Sequence, residues 1–102
     1  MLAEIEQRRE ALDALCRKHG ALRLDAFGSA VRGSFDPAKS DLDFIVEFES
    51  LAPTNYANAY FALKEELEAL FGRRVDLLTD GELKNPFFRR RVEGERQRIY
   101  AR

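Results

Sequence analysis

The chain has 102 residues, of which 45% are hydrophobic and 34% are charged, with a net charge of −1. This composition is typical of a single folded domain over residues 1–102 and excludes a disordered chain. The apolar runs are far shorter than the roughly 20 residues that a membrane-spanning helix needs, and the acidic N-terminus is unlike a signal peptide. We therefore expect a cytoplasmic protein that does not contact a membrane.

The first half of the chain alternates helical and strand patterns. Residues 2–19 place apolar side chains, from Leu2 onward, at helical spacing, and Gly20 can end that helix. Residues 22–27 alternate apolar and polar side chains, and residues 42–48 do so more regularly. Both segments predict strands, because strand side chains point alternately to opposite faces.

The second half predicts two helices around a third strand. A helix is expected to follow Pro53 and to end before Gly72, and residues 73–80 are expected to form a strand. Pro86 favours the start of a last helix, which is expected to run through Ile99. With a short helical turn after the first strand, the order is α, β, α, β, α, β, α. This order predicts a small α/β (α+β) fold with a mixed β-sheet and helices packed on it.

Two aspartates, Asp41 and Asp43, stand at the start of the second predicted strand. Residues two apart on a strand project from one face, so both carboxylates can converge on one cation. Such a pair repels unless a cation neutralises it, and hard oxygen ligands suit Mg²⁺. Asp76, on the third strand, is expected to point toward the pair. Three carboxylates can hold two Mg²⁺ ions for phosphoryl transfer, with one aspartate able to take a proton.

A Gly-Ser turn precedes these aspartates. Gly28 can adopt backbone angles that let a phosphate approach the main chain, and Ser29 begins a helical turn whose N–H groups and hydroxyl favour an anion. Arg32 and Lys39 could balance the charge of a triphosphate, and Ser40 could orient the strand that carries the aspartates. The expected ligand is therefore an anion such as the triphosphate of a nucleotide.

The segment "GSAVRGSFDPAKSDLD" places Gly-Ser before Asp-x-Asp and resembles the signature of the DNA polymerase β-type nucleotidyltransferase superfamily. With its short length and the ending "NPFFRRRVEGERQRIY", nearly the whole chain resembles the minimal nucleotidyltransferase (MNT) family. Members are commonly antitoxins of HEPN/MNT toxin–antitoxin pairs. The resemblance implies a polymerase β-like fold and Mg²⁺-dependent transfer of AMP from ATP to a tyrosine hydroxyl of a HEPN ribonuclease toxin, which silences the toxin.

The same resemblance assigns roles to the motif residues. Gly28 and Ser29 match the phosphate-binding turn, Asp41 and Asp43 match the metal ligands, and Asp76 matches the third carboxylate. The short chain is not expected to contain a separate acceptor-binding domain, so a partner protein is expected to supply the acceptor.

Two other functions remain open at this point. The chain could be a non-catalytic antitoxin that neutralises its toxin by covering the toxin's active site, with idle carboxylates. The arginines of the last predicted helix could bind nucleic acid, although a solvated basic face explains them as well and nucleic acid is not the expected partner.

Overall fold

The computed structural model describes residues 3–33, 36, 41–49 and 53–102. Within these ranges the chain forms four strands, five α-helices and one 3-10 helix. In chain order they are α1 (Ala3–Gln7), α2 (Arg9–Lys18), β1 (Ala21–Phe27), α3 (Ser29–Arg32), β2 (Leu42–Phe48), α4 (Pro53–Phe71), β3 (Val75–Thr79), the 3-10 helix (Asp80–Glu82), α5 (Pro86–Glu95) and β4 (Gln97–Ala101).

The strands form one mixed sheet in the order β3-β2-β1-β4. Strand β1 pairs antiparallel with β2 and with β4, whereas β2 and β3 are parallel. Parallel neighbours need a long crossover connection, and α4 supplies it. The predicted mixed sheet with helices packed on it is therefore confirmed.

The two faces of the sheet differ in how they are covered. The larger apolar core joins one face to helices α1, α2 and α4, through buried residues that include Ile5, Leu12, Leu24, Phe44, Leu63 and Leu67. The other face has a smaller core under α5, made by Phe27, Ile45, Leu83 and Val92. The rest of this second face carries charged residues. No helix in the described ranges is long and apolar enough to cross a membrane.

The N-terminal helical segment differs from its prediction. Residues 2–19 were expected to form one helix, but α1 and α2 are separated at Arg8. Arg8 has φ −110° and ψ 20°, and its N–H bonds to the carbonyl of Ile5 in a tighter turn than an α-helix makes. Gly20 follows the second helix with a φ of 74°, as its predicted role requires. Leu2 lies outside the described residues.

The last predicted helix is wrong over its last four residues, 96–99. Helix α5 begins as expected, with the Asn85 side chain accepting hydrogen bonds from two N–H groups of the first turn, but it ends at Glu95. Ile99 lies instead on strand β4, which pairs with β1. This strand is favoured because it satisfies the open edge of β1 and places Arg98 opposite the buried Asp25.

Asp25 is the buried charged residue of the described chain, with only 2% of its surface exposed. Arg96 Nε donates to one carboxylate oxygen at 2.8 Å, and Arg98 Nε donates to the other at 2.9 Å. Burial raises the pKa of Asp25, but the hydrogen bonds from Arg98 and Arg96 and their charges outweigh it and hold the pKa below its usual value. This ion pair network fixes β4 and the end of α5 to β1.

Replacing Asp25 by Asn should lower the free energy of unfolding by about 2 to 3 kcal/mol, because the arginines lose the charge that compensates their partial burial. Urea denaturation measures this loss. The matched control is Glu47→Gln, which removes the exposed partner of Arg23 on the same sheet face and should change stability far less. Equal losses in the two variants would contradict the structural role of Asp25.

Candidate active site

The parallel register of β2 and β3 places Asp43 directly opposite Asp76. The flanking pair, Leu42 and Val75, is buried on the other face, so both aspartates project from the face that α5 only partly covers. Asp43 is half-buried and Asp76 is exposed. Asp41 precedes β2 and is half-buried. The structure thus brings Asp76 beside Asp43, as the sequence predicted, while the role of the three carboxylates stays a prediction.

Gly28 lies against Asp43 at the end of β1. Phe27 pairs with Asp43, and the next residue, Gly28, turns the chain with a φ of 76°. A Cβ atom added to Gly28 would lie 2.2 Å from Asp43 Oδ2, a distance that no real contact reaches. Glycine is therefore required here for two reasons, its positive φ and the room that the Asp43 carboxylate takes.

The short helix α3 follows this turn. Ser29 is its first residue, and the N–H groups of Val31 and Arg32 both bond to the carbonyl of Gly28. Gly33 ends the helix with a φ of 83°. The predicted Gly-Ser turn and helical segment are thus present beside the carboxylates. Lys39 and Ser40, which the sequence assigned to the same site, lie outside the described residues.

The sequence prediction missed Glu95, the last residue of α5. Its Oε1 atom accepts a hydrogen bond from the Gly28 N–H at 3.0 Å. Arg32 Nη1 donates to both oxygens of the same carboxylate, at 3.1 and 3.0 Å. The contact joins residues 67 positions apart, and neither periodicity nor motif spacing signals it.

The site is rich in negative charge, which contributes to a raised pKa of Asp43. Burial and the nearby charges of Asp76 and Asp41 raise the pKa of Asp43 to about 6, and Glu95 adds to the rise while Arg32 opposes it. A bound cation would relieve this repulsion.

Mg²⁺ prefers carboxylate oxygens, so Asp41, Asp43 and Asp76 fit it in kind. Within the described ranges, however, no group of three or more His, Cys, Asp or Glu side chains is gathered closely enough to form a ready-made metal cage. The three carboxylates therefore fit Mg²⁺ by the chemistry of their oxygens, and substrate phosphates would supply the remaining ligands of the ion.

A small mixed sheet that sets an Asp-x-Asp strand beside a third aspartate and a Gly-Ser turn defines a nucleotidyltransferase. Residues 8–99 match the family model described as a nucleotidyltransferase domain. Protein adenylyltransferase MntA from Thermococcus cleftensis is 38% identical over 71 residues, which cover 70% of this chain and 68% of that protein. The chain belongs to the minimal nucleotidyltransferase family, and the resemblance found in its sequence is confirmed.

Solved structures agree with this assignment. One that is assigned as a minimal nucleotidyltransferase shares 38% identity, covers 95% of both chains and superposes with a TM-score of 0.67. A chain from the complex of the tri-AMPylated HEPN toxin with the MNT antitoxin of Shewanella oneidensis is 16% identical and has a TM-score of 0.62. That match covers 95% of this chain and 72% of the other, and it shows a shared fold.

Gly28→Ala should weaken MgATP binding by at least about tenfold, because the new Cβ must displace the Asp43 carboxylate. Gly33→Ala is the matched control: its φ of 83° is also positive, but among the described residues nothing lies within 4 Å of its added Cβ. Both variants should lose about 1 to 2 kcal/mol of stability from the backbone strain alone. Isothermal titration calorimetry measures the affinity for MgATP apart from the loss of stability. Equal affinities for the two variants would refute the role of the Gly28–Asp43 contact.

Asp43→Asn should be more stable than wild type at neutral pH in the absence of divalent ions. Folding raises the pKa of Asp43 from 3.8 to about 6. Because the unfolded chain loses this proton more readily, the folded state loses stability as the pH rises from about 4 to about 6. The advantage of the variant should therefore shrink as the pH falls from about 6 toward about 4.

Thermal unfolding in EDTA across this pH range measures the difference between variant and wild type. Asp13→Asn, on α2, is the control for loss of a carboxylate elsewhere. An Asp43→Asn variant that is less stable than wild type at neutral pH would contradict the cost of burying a charge at Asp43 beside Asp76 and Asp41.

Proposed function

We propose that this chain is the antitoxin of a type VII-like HEPN/MNT pair and that it transfers AMP from ATP to a tyrosine hydroxyl of its cognate HEPN toxin. The observation that supports catalysis most directly is the register that places Asp43 beside Asp76, next to the Gly28 turn. Binding alone does not require three carboxylates that repel one another at one place on the surface.

Relatives support a protein as the acceptor. The Thermococcus cleftensis relative is named a protein adenylyltransferase, and the Shewanella oneidensis complex holds a tri-AMPylated HEPN toxin with its MNT antitoxin. We extend this pairing to the present chain, so its expected partners are ATP and a HEPN toxin.

In the proposed reaction, the tyrosine oxygen bonds to the α-phosphorus of ATP and the bond to the β-phosphate oxygen breaks, which releases pyrophosphate. Asp76 is a further metal ligand or accepts the proton of the tyrosine hydroxyl, since it is the exposed carboxylate opposite Asp43. Gly28, Ser29 and Arg32 bind and orient the phosphates.

The metal ligands and Ser40 complete the proposed site. Asp41 and Asp43 would hold Mg²⁺, in one or two ions, which neutralises the triphosphate and lowers the pKa of the attacking hydroxyl when bound. Ser40 is assigned to orienting the strand that carries these ligands.

The double variant Asp41→Asn, Asp43→Asn should slow AMP transfer by at least about a hundredfold, because it removes both metal ligands. Intact mass spectrometry of the co-purified HEPN toxin, after incubation with ATP and Mg²⁺, counts the AMP units transferred. Asp13→Asn again serves as the control that should retain transfer.

Toxin that gains AMP units with wild type and with Asp13→Asn, but not with the double variant, supports the proposal. If the toxin gains none and is nevertheless silenced by both wild type and the double variant, neutralisation is by binding alone and the enzymatic proposal is wrong.

A further inference from the structure

Glu95 occupies groups that the proposed reaction needs for phosphate. The Gly28 N–H and the Arg32 guanidinium are donors on the phosphate-binding turn, and both donate to the Glu95 carboxylate. The side chain is well sheltered, with 13% of its surface exposed. A carboxylate and a phosphate accept from the same kinds of donor, and guanidinium groups bind both.

The position is otherwise unfavourable for a negative charge. Glu95 is the final residue of α5, where the carbonyl ends of the helix disfavour a carboxylate. It also adds to the negative field around Asp43. Apart from Arg91 at 3.9 Å, the compensating groups in the described residues are the two donors of the turn.

We propose that Glu95 is an internal substitute for a phosphate group, which holds the donors of the Gly28 turn and Arg32 until the triphosphate of the nucleotide displaces it. Glu95 is thus a specificity residue for the phosphate chain. Only a ligand whose anionic group binds the Gly28 N–H and Arg32 more strongly than the carboxylate does can displace Glu95. This inference rests on the proposed nucleotide-binding role of the turn.

Displacement needs no movement of the helix. Glutamate has three rotatable side-chain bonds, so the carboxylate can swing away from Gly28 while α5 stays in place. Val92, the buried residue of α5, keeps the helix on the sheet through its contacts with the smaller core.

The test compares ligand binding by wild type, Glu95→Gln and the matched control Glu93→Gln in calorimetric titrations. Glu93 lies on the same helix but pairs with Arg89 and Arg96 instead of the turn. The probes are MgATP, magnesium tripolyphosphate and adenosine. Glu95→Gln should bind the first two about five- to tenfold more tightly, because the neutral amide releases Arg32, and should bind adenosine as wild type does.

Glu95→Asp provides a second variant that keeps the charge but shortens the reach to Gly28, and it should also tighten MgATP binding. Unchanged or weaker MgATP binding by folded Glu95 variants would overturn the inference, and Glu95 would then be a residue that supports the turn. If wild type and all variants fail to bind MgATP, the proposed function itself fails and the inference falls with it.

Discussion

Parallel pairing of β2 with β3 is the constraint on which the candidate active site depends, because it fixes Asp43 beside Asp76. Two like charges at adjacent strand positions repel, and burial together with this repulsion raises the pKa of Asp43 to about 6. The arrangement persists because the opposite face of the same strands is anchored in the larger core, with Leu42 and Phe44 fully buried. Hydrophobic burial on one face therefore stabilises an electrostatically costly surface on the other.

Strand β1 and the turn after it are held to the end of α5 by two hydrogen bonds. The Gly28 N–H donates to Glu95, and the neighbouring Arg96 donates to the buried Asp25. A single helix end is thus tied to β1 at two points, three residues apart in the strand and its following turn. This arrangement explains why the C-terminal segment leaves the helical path at Arg96 and continues as β4, where Arg98 completes the contact with Asp25.

Much of the fold and of the candidate active site was predictable from local sequence patterns. Alternation in β2 and the Gly-Ser and Asp-x-Asp motifs predicted the mixed sheet, the family and the convergence of Asp43 with Asp76. The end of α5 was not predictable, because β4 is selected by pairing with β1 and by the buried Asp25 instead of by its own periodicity. Glu95 was missed for the same reason: its partner is distant in sequence. The Mg²⁺ ions, the tyrosine acceptor and the role of Ser40 stay predictions.

We propose that a metal–nucleotide complex binds where β2, β3 and the Gly28 turn meet. NMR spectra recorded during titration with Mn²⁺ and ATP test it directly, because the paramagnetic ion broadens the amide signals of nearby residues. The signals of Gly28, Asp43 and Asp76 are expected to broaden first, while those of α2, behind the sheet, persist. Broadening centred on any other surface would contradict it.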